Sequence, residues 1–495
     1  MLMKAGDSPP RPEVLVEPRW TSTDTWIVCA LTIAALVTRF WHLGYPPTLI
    51  FDEGVTVPLG RDYLRYQAYA ETHPPLTSLL IAMGIFMFGD NAFAWRFAGA
   101  TVGTAMIPLT YLLGKRLFKS RLAATCAAFF VLTDGLFLVD SRTAVWEIFY
   151  VFFGAVAYLF LFRFAQSNEP AVRRRSLVGM GVMLGLCLAS KQFIPILTEL
   201  FVLTCLIVSI VQHVNPGSIG LRSDRKLLIP MRWITGALVL VAGSSGLVFT
   251  ACHLPNYCFG AWPSAAVQVE FYRQLVHAQV VFGRAVTSPS SSRWWTWPLM
   301  LRPMFYWKGI GPPGGTVSAI RLIGNPVIWW SVLVAVLLLP IQVLLKRSPE
   351  RMFLLAGYIV YLFIWLAVPR FAYVYHYMPA LYLGMLALAA DLAECWEDSL
   401  EYWTQIPILM SLTPPIIFAF VTPVGVVIAV LAAATYLLLR VRSTGYAGKF
   451  VCILFVVAVA MAFGYFLPLW YGLPLSQSAY SARMWLHGKG VANWR

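Results

Sequence analysis

Two adjacent carboxylates, Asp52 and Glu53, open the stretch "FDEGVTVPLGRDYLRYQAYAETHPPL", about a dozen residues after an apolar run of spanning length. A carboxylate within hydrogen-bond reach of a hydroxyl can take its proton as the oxygen attacks, a contribution of about 10²–10⁴-fold. Cations recur near the ends of other apolar runs: Arg39, Arg96, Arg142 and Lys191, then Arg370 beside Tyr375 and His376. Asp140 and His73 complete the set. Arg binds phosphate in bidentate fashion and Lys binds it as a point charge, so a small acidic group among many cations suits a base working beside a phosphorylated substrate. Ionisable groups near or within spans are costly to keep and are functional candidates by default. Taken singly, each has a plainer reading. The acidic pair could be a solvated loop or a helix N-cap, and "HPPL" a rigid turn before a surface helix. Arg142 could pair with Asp140, and His376 could be a satisfied histidine at a helix end.

The elements that must position these residues are transmembrane. Of 495 residues, 59% are hydrophobic and 12% charged, too apolar for a soluble protein of this size. Blocks such as "WITGALVLVAGSSGLVFTA" and "VGVVIAVLAAATYLLL" approach the roughly 20 residues a helix needs to cross a bilayer. The net charge of +15 sits largely in short loops, "KRLFKSR", "RRR", "RSDRK", "KRSPER" and "RVR". Such loops stay cytoplasmic, so the basic balance sets topology and implies no nucleic-acid partner. Spans are expected near 25–43, 91–113, 122–139, 143–164, 176–192, 194–212, 233–252, 324–345, 352–368, 376–394 and 450–468. The run 406–440, broken by Pro407, Pro414, Pro415 and Pro423, is a hairpin or one kinked helix.

The expected total is about 11–13 spans by the length rule, with the N-terminus inside and the C-terminus outside. The division is a cytoplasmic tail 1–23, an N-terminal module 24–252 with its first external loop 44–90, an external loop 253–323 and a C-terminal module 324–495. All the candidate residues then meet at one outer face. The aromatics Trp294, Trp295, Trp297, Tyr306 and Trp307 are an interfacial belt or the lining of a groove. The eight cysteines show no metal spacing; Cys252 and Cys258 read as two ordinary small residues that an oxidising face could pair. No cleavable signal is apparent at the N-terminus, so the first span is a retained anchor. A transporter for a lipid-linked sugar would show repeats and broken helices around a midplane site. No repeat is apparent.

"FDE" followed by "HPPL" resembles the first external loop of the protein O-mannosyltransferases. The likeness continues through "AWRFAGATVGTAMIPLTYLLGKRLF", "LTDGLFLVDSRTAVWEIFYVFF", "GLCLASKQFIPIL", "SSRWWTWPLMLRPMFYW", "IGNPVIWW", "PRFAYVYHYMPALY" and "PLWYGLPLS" with "YSARMWL", in order and nearly end to end. The resemblance implies an all-α GT-C membrane fold with amphipathic surface helices in the first external loop. It implies an inverting enzyme that moves mannose from a polyprenyl-phosphate donor to Ser or Thr of a secreted or membrane protein. The loop 253–320 is too short for the soluble domain of eukaryotic members, which points to a bacterial-type protein in the inner membrane with an outward-facing site.

Within that resemblance Asp52 is the expected base and Glu53 its orienting neighbour and second choice. Lys191, Arg370, Tyr375, Arg39 and Arg142 are expected at the donor phosphate, with Arg96, His73, Asp140 and His376 in support. No metal or other cofactor is required, since phosphate already leaves readily; Glu71, His73 and Asp140 form the one conceivable divalent-ion cluster. The chain departs from the family pattern at Glu71, Thr77, Ser78 and "TSPSSSRWW". A different sugar passed to a lipid or glycan is therefore the alternative, ahead of a transporter or an inactive subunit.

Overall fold

A bilayer offers the backbone no hydrogen-bond partner, so apolar runs of spanning length must close their bonds internally as helices. The computed structural model describes residues 19–67, 73–214, 231–285, 290–309, 315–368, 372–397, 402–415, 422–441, 446–486 and 494. The first half contains α1 (Ser22–Phe40), α2 (Glu53–Leu64), α3 (Leu76–Phe88), α4 (Ala92–Phe118), α5 (Arg121–Thr133), α6 (Gly135–Ser141), α7 (Glu147–Gln166), α8 (Pro170–Ser190), α9 (Ile194–Val214) and α10 (Met231–Cys252). After the short α11 (Leu254–Cys258) and α12 (Ala265–Ala285) come the strands β1 (Met304–Lys308) and β2 (Ala319–Leu322). The helices α13 (Pro326–Lys346), α14 (Pro349–Phe363) and α15 (Met378–Trp396) follow, and Ala447–Tyr471 forms a further long helix.

Among the described residues nine helices are long and apolar enough to span, and the pair α5–α6, bent by 60° at Asp134, makes a tenth. This is fewer than the 11–13 expected. The difference lies at 176–192 and 406–440. Helix α8 falls outside the count because Arg173, Arg174 and Arg175 sit in its first turns, although it has spanning length and packs between α7 and α10. Region 406–440 holds Tyr402–Met410 and Thr422–Val441, of which Val427–Val441 is apolar but short.

Helices were expected in the loop after the first span, and α2 and α3 occupy it. Pro75 sits at the N-cap of α3, where "HPPL" was expected to turn the chain. Met83, Phe86, Met87 and Phe88 of α3 are exposed, an apolar surface suited to lipid. The hairpin of β1 and β2, antiparallel with Met304 opposite Leu322 and a bulge between Phe305 and Trp307, was not anticipated. Strands of five and four residues are too short for a period-2 pattern to stand out among aromatics.

Helix α15 is the centre of the second half. It packs on α5, α13 and α14 and is buried along almost its whole length. In the first half α7 packs on α8, α8 on α10, and α4 on α1 and α5. The two ends of this bundle differ. At one end Asp24, at the start of α1, is wholly buried and pairs with Lys115 and Arg121. The basic residues Arg116 and Arg173–Arg175 lie at that end too. The chain returns to the opposite end at Asp52, Asp140, Glu147 and Lys191. All eight cysteines, Cys252 and Cys258 included, are free thiols.

The bend at Asp134 has a clear cause. Its carboxylate Oδ1 accepts from the backbone N–H of Leu136 at 2.9 Å and Phe137 at 3.3 Å, capping α6. Oδ2 accepts from Asn325 N–H at 2.9 Å and Trp329 Nε1 at 2.8 Å, reaching the start of α13. Gly135 follows, because a Cβ there would stand 2.0 Å from the carbonyl oxygen of Ile323. One buried carboxylate thus ties the broken span to the second half of the protein. Replacing Asp134 with Ala would strand four donors, each lost bond leaving a group whose desolvation costs about 1–3 kcal/mol. Asp134→Ala should therefore lower the thermal midpoint of the solubilised protein far more than Asp134→Asn, as thiol-reactive or light-scattering melts would show. Equal midpoints for the two variants would refute the capping role.

Candidate active site

The loop from α1 to α2 must cross the bundle's end while keeping its own carbonyls satisfied. Arg96, fully buried on the second turn of α4, does this work. Its Nη1 donates to the carbonyls of Leu43 at 3.1 Å and Pro46 at 2.9 Å, and Nη2 to that of Thr48 at 3.2 Å. The same guanidinium meets Glu53 in a fork, Nε to Oε1 at 2.7 Å and Nη2 to Oε2 at 2.9 Å. Glu53 accepts two further bonds, from Ile50 N–H at 3.0 Å and Ala144 N–H at 3.0 Å. With both oxygens doubly engaged and no exposed surface, Glu53 is not placed to act as a base. Arg96, expected in support of the acidic pair, holds Glu53.

Asp52 is left free by that arrangement. It stands at the N-cap of α2, makes no side-chain cap bond and is partly exposed. Among the described residues its carboxylate has no hydrogen-bond partner. Burial raises its pKa to about 7, the nearby Glu147 carboxylate adds to the rise, and Lys191 offsets part of it. The preceding Phe51 is in the left-handed region at φ 46°, a conformation that costs a bulky residue about 1–3 kcal/mol. Its ring stacks on Tyr306 with centroids 4.3 Å apart and meets Tyr375 edge-on at 6.2 Å. Ring packing therefore holds the turn that presents Asp52.

Lys191 ends α8 in extended backbone, at φ −154°. It is buried and forms an ion pair with Glu147, the first residue of α7. Its ammonium lies 4.7 Å from the centre of the Tyr375 ring, 5.5 Å from that of Trp146 and 6.0 Å from that of Tyr150. His73 packs on Trp146 at 4.3 Å. Thr77, one of the departures from the family pattern, donates its hydroxyl to the carbonyl of Ser190 at 3.1 Å and so fixes the start of α3 to the residue before Lys191. Asp140 on α6 accepts from the Tyr306 hydroxyl at 2.8 Å. Its second oxygen is buried without a partner among the described residues. Burial and the carboxylate of Asp140 push the Tyr306 hydroxyl well above its ordinary pKa, so it stays a donor.

Asp52, Asp140, Lys191, Tyr375 and His73 thus gather with Glu147 and Tyr306. Two expected phosphate ligands do not join them. Arg39 donates to the carbonyls of Leu132 at 3.2 Å and Val131 at 3.0 Å. Arg142 donates to those of Arg39 at 2.9 Å and Trp41 at 2.7 Å, and lies over the ring of Tyr471 at 4.1 Å. Both satisfy carbonyls that helix ends leave open, and Arg142 does not pair with Asp140. His376 engages the Tyr373 carbonyl at 3.1 Å and packs on Trp365 at 4.4 Å, the plainer of its two readings. Arg370 and Glu71 lie outside the described residues. Among the described residues no group of three or more His, Cys, Asp and Glu is disposed to hold a metal ion.

Glu147 is the residue that the sequence reading passed over. An acid embedded in "AVWEIFYVFF" carries the signal of a costly charge in a span. Tyr306 was expected with the aromatics of an interfacial belt or groove lining, and not as a hydrogen-bond partner of Asp140.

The polytopic helical bundle has the fold of the GT-C glycosyltransferases. The solved protein O-mannosyltransferase complex Pmt1–Pmt2 of S. cerevisiae, bound to its sugar donor, superposes with TM-score 0.73 at 14% identity, over 96% of this chain and 93% of that one. ArnT from Cupriavidus metallidurans, bound to undecaprenyl phosphate, superposes with TM-score 0.58 at 15% identity, over 94% and 79%.

Sequence narrows the class. Residues 29–91 and 86–256 match the family described as dolichyl-phosphate-mannose-protein mannosyltransferase. Residues 271–489 match the C-terminal four-span region of protein O-mannosyltransferase. A polyprenol-phosphate-mannose–protein mannosyltransferase of Mycolicibacterium smegmatis is 28% identical over 62% of this chain and 69% of its own length. One of Corynebacterium glutamicum is 24% identical over 97% and 96%. The chain belongs to the protein O-mannosyltransferase family.

Because Glu53 and Arg96 are buried together, losing one leaves the other charge uncompensated, at a cost of about 3–5 kcal/mol. Arg96→Ala should therefore destabilise the protein by that order and abolish function with it. Adding Glu53→Gln to Arg96→Ala should recover part of the loss in thermal unfolding. A double variant no more stable than the single one would argue against direct pairing.

Proposed function

We propose that this mannosyltransferase takes a mannosyl group from polyprenyl phosphate and attaches it, with inversion, to Ser or Thr of a secreted or membrane protein. Asp52 is the base. The observation that carries the assignment is its uncommitted carboxylate: Glu53 is spent on Arg96 and backbone, whereas Asp52 has no partner among the described residues and stands in the field of Lys191. The acceptor oxygen attacks the anomeric carbon and its proton passes to Asp52. The bond from that carbon to the phosphate oxygen breaks, and the electron pair leaves with the lipid phosphate. The charge that develops there needs a fixed cation, which Lys191 supplies with Tyr375 beside it. Arg370 is a second phosphate contact, assigned from its place in the sequence. Asp140 and Tyr306 line the cluster as a hydrogen-bonded pair.

The basic loops argue for orientation. Arg116, Arg121 and Arg173–Arg175 lie at the end away from Asp52, and such loops are retained in the cytoplasm. The site then faces outward across what we take to be a bacterial inner membrane, where a polyprenyl carrier can present its headgroup in the outer leaflet. The chemistry calls for no metal, because the phosphate is already a competent leaving group and its charge is met by side chains.

Purified protein given polyprenyl-phosphate mannose and a Ser/Thr peptide should form mannosyl-peptide, undiminished by excess EDTA. Asp52→Asn should lower kcat by at least about 100-fold; equal transfer would remove Asp52 from the role. A base with a pKa of about 7 is protonated below that value, so kcat/KM should fall as the pH drops through about 7. If only another polyprenyl-phosphate sugar were consumed, the mannose assignment would fail; if none were, the transferase reading would.

A further inference from the structure

Lys191 faces a problem that the reaction does not by itself resolve. It is assigned to the donor phosphate, yet before any donor arrives it is already paired with Glu147 and enclosed by Trp146, Tyr150 and Tyr375. A buried ammonium without an anion would be costly, so some anion must hold it while the site is empty. Glu147 is itself buried, and would suffer the same penalty alone. A second anion entering beside it repels it unless the cation is shared.

We propose that Glu147 is a positioning residue that keeps the Lys191 ammonium in place in the empty site and shares or yields it when the donor phosphate binds. This rests on the transferase reading above and deepens it. An ammonium has three donors, so Lys191 can keep one on Glu147 while turning another to phosphate. Glu147 thereby acts on two quantities at once. It competes with the donor for Lys191, and its charge opposes ionisation of Asp52.

Other groups that titrate or carry charge face this pair from every side. They are Asp140 on α6, Tyr306 on β1, Tyr150 one turn along α7, His73 before α3, and Tyr375 with His376 in the turn Val374–Tyr377. Asp140 is engaged by Tyr306 and the aromatic hydroxyls are neutral near pH 7. Among the described residues Glu147 is the carboxylate in direct contact with Lys191. The rise in the pKa of Asp52, to which Glu147 contributes after burial, agrees with this geometry.

The test is the steady-state kinetics of Glu147→Gln and Glu147→Asp in the full-length protein, with polyprenyl-phosphate mannose varied from pH 5 to pH 9. Removing the charge should ease ionisation of Asp52, so the acidic limb of kcat/KM should move to lower pH in Glu147→Gln, by about one unit. The donor KM of Glu147→Gln should fall several-fold, since the phosphate no longer competes for Lys191. Glu147→Asp keeps the charge but draws it back by one methylene: the limb should stay and the donor KM should fall. A merely structural Glu147 would lower kcat in both variants with the limb unmoved, and that result would overturn the proposal. Should Glu147→Gln not fold, an unchanged or raised donor KM in Glu147→Asp would overturn it equally. An inactive wild type would instead refute the transferase reading, so the two failures are distinguishable.

Discussion

The fork between Arg96 and Glu53 is the interaction on which the site depends. It is buried, bidentate and supplemented by two backbone N–H groups on the carboxylate and three carbonyls on the guanidinium. Such a pair gains little over an apolar replacement unless all its polar atoms are satisfied. Here its use is geometric. It fastens the loop after α1 to α4 and to Ala144, which sets where α2 begins. The residue before Glu53 is then delivered to the cluster with its carboxylate uncommitted. Two neighbouring acids of similar chemistry have opposite environments, because one is surrounded by donors and the other is not.

The same economy of buried charge recurs through the molecule. Arg39 closes carbonyls at the end of α5, Arg142 closes those at the end of α1, and Asp134 closes N–H groups at the start of α6 and α13. In a bilayer an open carbonyl or amide is costly because water cannot reach it. Charged side chains with several donors or acceptors are the compact remedy. The result is a rigid end to the bundle, where irregular backbone is tolerated because each turn is held by a named side chain. Ring packing of Phe51 on Tyr306 adds the last restraint, at the one strained position beside Asp52.

A single ammonium then serves a cluster of three acids, Asp52, Asp140 and Glu147. Burial, with the Glu147 charge added, raises the Asp52 carboxyl to about 7, and Lys191 offsets part of that rise. Tyr306 lowers the imbalance locally by donating to Asp140. The cluster is assembled from the loop after α1, three helix ends, a hairpin and a turn, so its electrostatics exist only in the folded protein.

Much of this was legible in the chain itself. Apolar run length gave the membrane bundle, because a helix must match the bilayer's thickness. Charges near helix ends gave the approximate membership of the site, because a charge is too costly elsewhere in lipid. Asp52, Asp140 and Lys191, expected at one end of the bundle, do lie together there, and order along the chain indicated the family. The division of labour was not legible. Residue type shows that an arginine carries five donors, but not whether phosphate or carbonyls will meet them, and so Arg39 and Arg142 were misplaced. Glu53 and Asp52 could not be separated by adjacency, and Glu147 became visible only when α7 and α8 were packed together. Burial and hydrogen-bond satisfaction are properties of groups distant in sequence: Arg96 is 43 residues from Glu53, and Lys191 is 44 from Glu147. Which charges are spent on holding the fold and which remain for chemistry was therefore decided by tertiary structure alone.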